Sequence, residues 1–222
     1  MHQLSHTEEN YLKAIFKTSE PENKAASTNE ISQRMSVSAA SVSDMLKRLS
    51  KKELIHYEKH RGVVLTELGH KLATNLIRKH RLWEVFLVDK LDFSWDEVHD
   101  IAEELEHIES PKLVDKLDAF LGHPRFDPHG DPIPDTDGNY AFRKQVLLAD
   151  LPLQKTAIVV GVLEHSTPFL QYLDQTQLNL GSAFYITEKF EYDQSLKIQL
   201  ADGTIHLLTH KVGKQILVQQ KD

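Results

Sequence analysis

Apolar residues recur at helical spacing along the head of the chain. In "TEENYLKAIFKTSE", Tyr11, Leu12, Ile15 and Phe16 share one face. After a polar break, "STNEISQRM" predicts a short helix with Ser27 or Thr28 as N-cap and Glu30 in its first turn. "SVSAASVSDMLKRLSKKELI" adds a tight turn and a helix that carries Val42, Met45, Leu46 and Leu49 inward and leaves Ser38, Ser41, Ser43, Asp44, Lys47 and Arg48 partly outward. Helix, short turn and polar-faced helix make a helix-turn-helix. The spacing then changes, and "LIHYEKHRGVVLTELG" reads as two short strands around the basic loop "KHRG", in the position of a wing.

Helical spacing returns in "ATNLIRKHRLWEVFLVDKL", a long amphipathic helix in which His80 and Glu84 stand one turn apart on one face. Its aromatic side, Trp83, Phe86 and Leu87, is too apolar to leave exposed; with Leu105, Leu113, Leu117 and Phe120 it predicts an internal core or one shared with a second subunit. A winged helix reading a palindrome requires a two-fold partner, which favours a homodimer. In "VHDIAEELEH", Val98, Ile101, Ala102, Leu105 and Ile108 fall on one face, with His99, Glu103, Glu106 and His107 as a stripe beside it. The pattern breaks in "LGHPRFDPHGDPIPDTDGN", which holds four of the eight prolines and three of the nine glycines and reads as a loop or linker. Beyond it come the β-rich runs "TAIVVGVLE", "AFYITEKFE", "SLKIQLADGTIHLLT", with Asp202 and Gly203 at a hairpin turn, and "QILVQ"; "STPFLQYLDQTQ" between the first two looks helical. Five short strands in about 70 residues suggest a small SH3-like barrel.

Composition narrows the chemistry. The 222 residues, 40% hydrophobic and 27% charged, suffice for one substantial core or a few small ones. No apolar run approaches the roughly 18 residues of a membrane span, and "MHQLSHTEEN" lacks the basic-then-apolar layout of a signal peptide, so a cytoplasmic protein without a membrane partner is expected. The absence of cysteine excludes disulfides, thiolate zinc sites and thiol catalysis; any metal must be held by nitrogen and oxygen, and thirteen histidines make that possible.

The net charge of −7 looks wrong for a nucleic-acid binder until it is divided. Lys plus Arg against Asp plus Glu counts 11 to 9 over 1–72, 7 to 16 over 73–140, and 8 to 8 over 141–222. A mildly basic head, an acidic centre and a neutral tail suggest three units with different partners. Two helices and a turn occur in many domains that never touch DNA. The wing adds cations at a groove edge to short polar side chains on an inserted helix, the combination that phosphate and base contacts require. Ser38, Ala39, Ala40, Ser41, Ser43 and Asp44 are thus expected at the bases, Lys47, Arg48, Lys59 and Arg61 at phosphates, and Thr28 among the DNA-binding residues. In the centre, a solvated helix face would interleave its acids with Lys or Arg, yet between Lys90 and Lys112 histidine is the only basic residue. The stripe therefore asks for a counter-charge.

"RKHRLWEVFL", "EVHDIAEELEH" and "FDPHGDPIP", in that order behind a winged helix and ahead of a small β-barrel, resemble the diphtheria toxin repressor and manganese transport regulator family, metal-activated dimeric repressors of metal uptake. The likeness covers essentially the whole chain. It implies an α+β protein with a winged helix-turn-helix over 1–72, a helical dimerisation and metal-binding domain over 73–140, and an SH3-like (FeoA-type) β-barrel over 148–222. The implied partners are a second copy of the chain and double-stranded DNA with a palindromic operator.

Carried over by position, the resemblance implies a primary site of Glu103, Glu106 and His107 with Asn10 from the first helix, and a second site that His80, Glu84 and His99 form or support. It makes Asp127 and His129 candidates in the loop, with His165, or Glu164 instead, from the barrel. Two or more ions per subunit are expected. Asn10 departs from the Asp or Met common there in the family and supplies no charge. Glu103 and Asp127 stand where relatives carry sulfur, and hard oxygen with imidazole suits Mn(II), with Fe(II) the close alternative. An enzyme is not expected, because "HDIAEELEH" lacks the HExxH pattern of metallohydrolases. A winged-helix regulator sensing an organic effector is the rival reading, separable by metal dependence of DNA binding.

Overall fold

The computed structural model describes residues 4–19, 24–58 and 61–221. These divide into two compact units, the described residues of Met1–His80, Glu103–Pro111 and Pro134–Tyr140, and those of Arg81–Ala102, Lys112–Ile133 and Ala141–Asp222.

The first unit opens with α1 (His6–Ser19), α2 (Thr28–Met35) and α3 (Ala39–Lys51). Each start is fixed by a serine. The Ser5 hydroxyl accepts from Glu8 N at 3.3 Å while Ser5 N donates to the Glu8 carboxylate at 2.9 Å. Ser27 and Glu30 make the same reciprocal capping box on α2, which settles the N-cap on Ser27 rather than Thr28. Ser38 caps α3 by accepting from Ser41 N at 3.2 Å. Between α2 and α3 the chain turns at Ser36, which takes the left-handed conformation (φ 53°). Tyr11, Leu12, Ile15, Phe16, Ile31, Val42, Leu46 and Leu49 close one buried core, against which Met45 packs partly buried. Strands β1 (Ile55–Glu58) and β2 (Gly62–Leu65) pair antiparallel, from Ile55 opposite Leu65 to Glu58 opposite Gly62, and form the expected wing. A side chain at Gly62 (φ +95°) would bring its Cβ to 2.8 Å from the Ala26 carbonyl, so only glycine lets the wing lie against the chain before α2.

Helix α4 (Glu67–Leu91) begins earlier than the apolar pattern alone suggests, and the division between units falls within it. Helix α5 (Val98–Leu105) is shorter than the expected stripe: Glu106 and His107 lie in the turn that follows, with Ile108 N donating to Leu105 O at 3.2 Å and Ile108 exposed. Pro111 opens α6 (Pro111–Phe120), at the first-turn position where its missing N–H removes no helical bond.

In the second unit Leu82, Val85, Val114, Leu117 and Ile133 form a small core bordered by Trp83, Phe86 and Leu121. The larger core belongs to the sheet formed by β3 (Val146–Leu147), β4 (Thr156–Val162), β5 (Ala183–Lys189), β6 (Leu196–Leu200), β7 (Ile205–Leu208) and β8 (Ile216–Gln220), with α7 (Thr167–Gln175) and the short α8 (His210–Gly213) beside them in sequence. All five expected strands are present, the expected helix is α7, and Gly203 (φ +91°) turns the β6–β7 hairpin. The order is β3-β8-β4-β5-β6-β7, a six-stranded sheet whose edges β3 and β7 do not pair, so the expected barrel is not closed among the described residues.

Candidate metal centres

In the first unit, α1 presents Glu9, Asn10 and Lys13, α4 presents His80, and the end of α5 with its following turn presents Glu103, Glu106 and His107. His107 Nδ1 lies 2.5 Å from Glu9 Oε2. A carboxylate only accepts, so the imidazole donates from Nδ1, and the neutral ring keeps its lone pair on Nε2, 4.0 Å from Glu106 Oε1. That oxygen is buried without a hydrogen-bond partner, and so is Asn10 Oδ1. An unpartnered buried acceptor costs about 1–3 kcal/mol, so two of them mark a place where a cation would be taken up. The His6 ring stacks on His107 at 4.3 Å.

The other Glu106 oxygen is occupied. Oε2 accepts from Lys13 Nζ at 2.6 Å and lies 2.6 Å from His80 Nδ1, and Lys13 Nζ also donates to Glu103 Oε1 at 2.6 Å. Lys79 is buried nearby in sequence; burial pulls its ammonium below the usual lysine range, against the charges of Glu9, Glu106 and Glu109. Of the three residues expected at a second site, His80 faces Glu106 in the first unit, while Glu84 and His99 belong to the second. The i,i+4 spacing of His80 and Glu84 gives a side of α4 but not what packs against each turn. Glu9 and Lys13, absent from the sequence reading, carried a signal there as an acid and a base one helical turn apart on α1.

In the second unit Glu84, Asp127 and His129 are all buried, with one ligand atom of each within 4.8 Å of the others. The "DPHG" loop is built for this. Asp127 Oδ1 accepts from the amides of His129 (2.9 Å) and Asp131 (3.0 Å), and Gly130 (φ +87°) lies so close to β4 that a Cβ would meet the Val160 carbonyl at 2.1 Å. His129 Nε2 donates to the Trp95 carbonyl at 2.8 Å, which turns Nδ1 toward Glu84 Oε2 at 3.8 Å. A backbone carbonyl on the far nitrogen is how a metal-ligating imidazole is oriented. Arg81 Nε stands 3.4 Å from Asp127 Oδ2, and Arg81 Nη2 lies 3.0 Å from Asp131 Oδ2.

Burial first, then the charges of Glu84 and Asp131, push the Asp127 carboxyl up to about 7, against Arg81 and His129. Burial works the other way on His129, but Glu84 and Asp127 outweigh it and raise the imidazole to about 9. Protons here offset an excess of acid that a cation would also offset. His99 adjoins the group, its Nδ1 3.6 Å from Glu84 Oε1. The His165 ring stacks on His129 at 4.7 Å, with Nε2 3.2 Å from the Val162 carbonyl, and Glu164 is exposed.

On α3, Ser38, Ala39, Ala40, Ser41, Asp44, Lys47 and Arg48 are exposed, and Ser43 is half-buried with its hydroxyl donating to Ala39 O at 2.9 Å. Thr28 starts α2, half-buried. Arg61 is exposed at the wing and pairs with Glu58 at 3.0 Å; Lys59 lies outside the described residues.

The fold and these clusters define a winged-helix protein with buried nitrogen and oxygen donor sets in its helical centre. Family models match along the chain: "Iron dependent repressor, N-terminal DNA binding domain" over residues 3–63, "Iron dependent repressor, metal binding and dimerisation domain" over 66–135, and "FeoA domain" over 146–220. The iron-dependent repressor IdeR of Mycobacterium leprae is 33% identical over 167 residues, 72% of each chain. IdeR of Mycobacterium tuberculosis is 36% identical over 134 residues, 60% of this chain and 58% of that protein's length. A solved manganese-dependent transcriptional repressor in complex with manganese superposes with a TM-score of 0.86 at 32% identity, over 96% of this chain and 99% of that one. The chain belongs to the family of the diphtheria toxin repressor and the manganese transport regulators.

Proposed function

We propose that this protein is a homodimeric, metal-dependent transcriptional repressor that binds a palindromic operator when loaded with Mn(II), Fe(II) being the close alternative. The observation that carries the reading is the pair in the turn after α5: a buried, unpartnered Glu106 oxygen 4.0 Å from the His107 nitrogen that keeps the neutral ring's lone pair.

Asn10, Glu103, Glu106 and His107 would hold one ion, with His80 adjoining. Glu84, Asp127 and His129 would hold a second, with His99 and His165 beside it. A divalent cation supplies positive charge that lets these carboxylates converge. The rest is done by the chain itself. Helix α1 carries Glu9 and Asn10 on one side and, through Tyr11, Leu12, Ile15 and Phe16, is part of the core that seats α3. Fixing α1 at the cluster therefore fixes the recognition helix, and less ordering is left for the moment of DNA binding.

Both donor sets are oxygen and imidazole without sulfur, which supports Mn(II) or Fe(II) over softer ions. The manganese repressor that superposes well supports the first; the iron-dependent relatives keep the second in view. Trp83 and Phe86, only partly buried, and exposed Phe120 support a two-fold interface, and 1–72, 73–140 and 148–222 are read as the DNA-binding part, the dimerising part and the FeoA-type sheet domain. The family is one of DNA-binding repressors, and nothing in the reading calls for a catalytic step.

The test is fluorescence anisotropy with operator DNA in the presence of Mn(II) and of chelator. Affinity is expected to fall well below the metal-loaded value on chelation. Equal affinity in both would sink the reading and favour a regulator of another effector.

A further inference from the structure

We propose that Lys13 is a tethered cation that holds the place of metal in the first centre, so that the metal concentration needed for a response is set by how readily its ammonium is displaced. The inference rests on reading Glu103 and Glu106 as ligands. Lys13 is buried, 5% exposed, and its Nζ lies 2.6 Å from Glu103 Oε1, 2.6 Å from Glu106 Oε2 and 3.3 Å from His80 Nδ1. His80 Nδ1, 2.6 Å from Glu106 Oε2, can only donate to that carboxylate, so the ammonium is held by two converging carboxylate oxygens. This is the donor set a hard divalent cation takes.

Surface lysines reach for acids at little net gain, but a buried ammonium between two carboxylates is a different case, since removing it leaves buried charge uncompensated. In the metal-free protein Lys13 therefore offsets the repulsion that Glu103 and Glu106 would otherwise exert, and it ties α1 to the turn after α5. The unpartnered Oε1 of Glu106 stays open on the His107 side. Glu103 Oε1 and Glu106 Oε2 become available only when the ammonium swings away, a displacement that requires no loss of its proton. A monovalent side chain thus competes with the divalent ion and raises the threshold.

Mn(II) binding to the full chain is measured by calorimetry in an Asp127→Asn background, which leaves the first centre to titrate, for the parent, Lys13→Met, Lys13→Arg and Glu106→Gln. Lys13→Met keeps the stem and removes the charge, and is expected to bind at least about tenfold tighter; Lys13→Arg should stay close to the parent. Lys13→Met binding no tighter than the parent, with an equally cooperative melt, overturns the inference. If Glu106→Gln binds as well as the parent, the ligand reading itself fails and the inference with it; Glu106→Gln weakened with Lys13→Met unchanged sinks the inference alone. Amine labelling of the unmutated chain tests the same point without a variant. Lys13 should be protected from acetic anhydride without metal and labelled once Mn(II) is added, and protection that metal does not change would refute the displacement.

Discussion

Single side chains decide how strongly a charge-rich cluster takes up a cation, and Asn10 is the one most open to change. Its Oδ1 is buried and unpartnered on the same helix as Glu9 and Lys13, so it can offer a ligand oxygen but no charge. Asn10→Asp is expected to lower the Mn(II) concentration at half-maximal operator binding by about tenfold, because a carboxylate binds a hard divalent cation better than an amide does. Anisotropy titrations of the two proteins side by side give the shift; an unmoved midpoint would take the first helix out of the coordination sphere. At this scale the residue types were legible in the sequence. Asp, Glu and His without cysteine restrict the ligand chemistry wherever the chain goes. Their partners were not legible: Glu9 behind His107 and Lys13 between two acids are contacts across about 90 residues of sequence.

At the scale of elements, the helix-turn-helix and the wing follow from local rules, and each can be probed without touching the metal centres. Hydrogen bonds from the Ser27 backbone and hydroxyl, with help from Lys24, hold the Glu30 carboxyl at about 2, below its ordinary 4.5. A lowered folded value means the capping box stabilises α2 fully above about pH 4.5 and is lost as pH falls through about 2. An NMR titration of the Glu30 carboxyl should find its midpoint near 2, and a midpoint near 4.5 would mean the box does not form in solution. On the wing, Arg61→Ala should weaken binding to all DNA sequences alike and reduce the slope of log affinity against log salt by about 1. An unchanged slope would remove Arg61 from the phosphate contacts. The strands, turns and N-caps were readable because they depend on neighbours in sequence. The end of α5 was not, because the stripe continues past Leu105 in pattern while Glu106 and His107 lie in a turn that meets side chains of α1 and α4.

For the whole molecule, the two donor groups lie in different compact units and use different elements, the first drawing on α1 and the turn after α5, the second on α4 and the "DPHG" loop. Two ions per chain are therefore expected after equilibration with Mn(II) and removal of excess. Glu106→Gln and Asp127→Asn should each retain one. Elemental analysis against protein concentration supplies the count, and a variant that loses both ions would show that the groups do not bind independently.

The sequence by itself determined the element types, the winged head, the five longer strands and the class of ligand atoms, because periodicity, capping and composition act through near neighbours. It also placed Asp127, His129 and Gly130 in one loop, where the motif is contiguous. Only the tertiary structure decided that His80 faces Glu106, that Glu84 meets Asp127 and His129, and that Lys13 fills the space between Glu103 and Glu106. Those groupings depend on which turns of distant helices and loops pack together. A helical wheel gives each side chain a direction but no partner, and buried charges choose partners by the geometry of the packed chain.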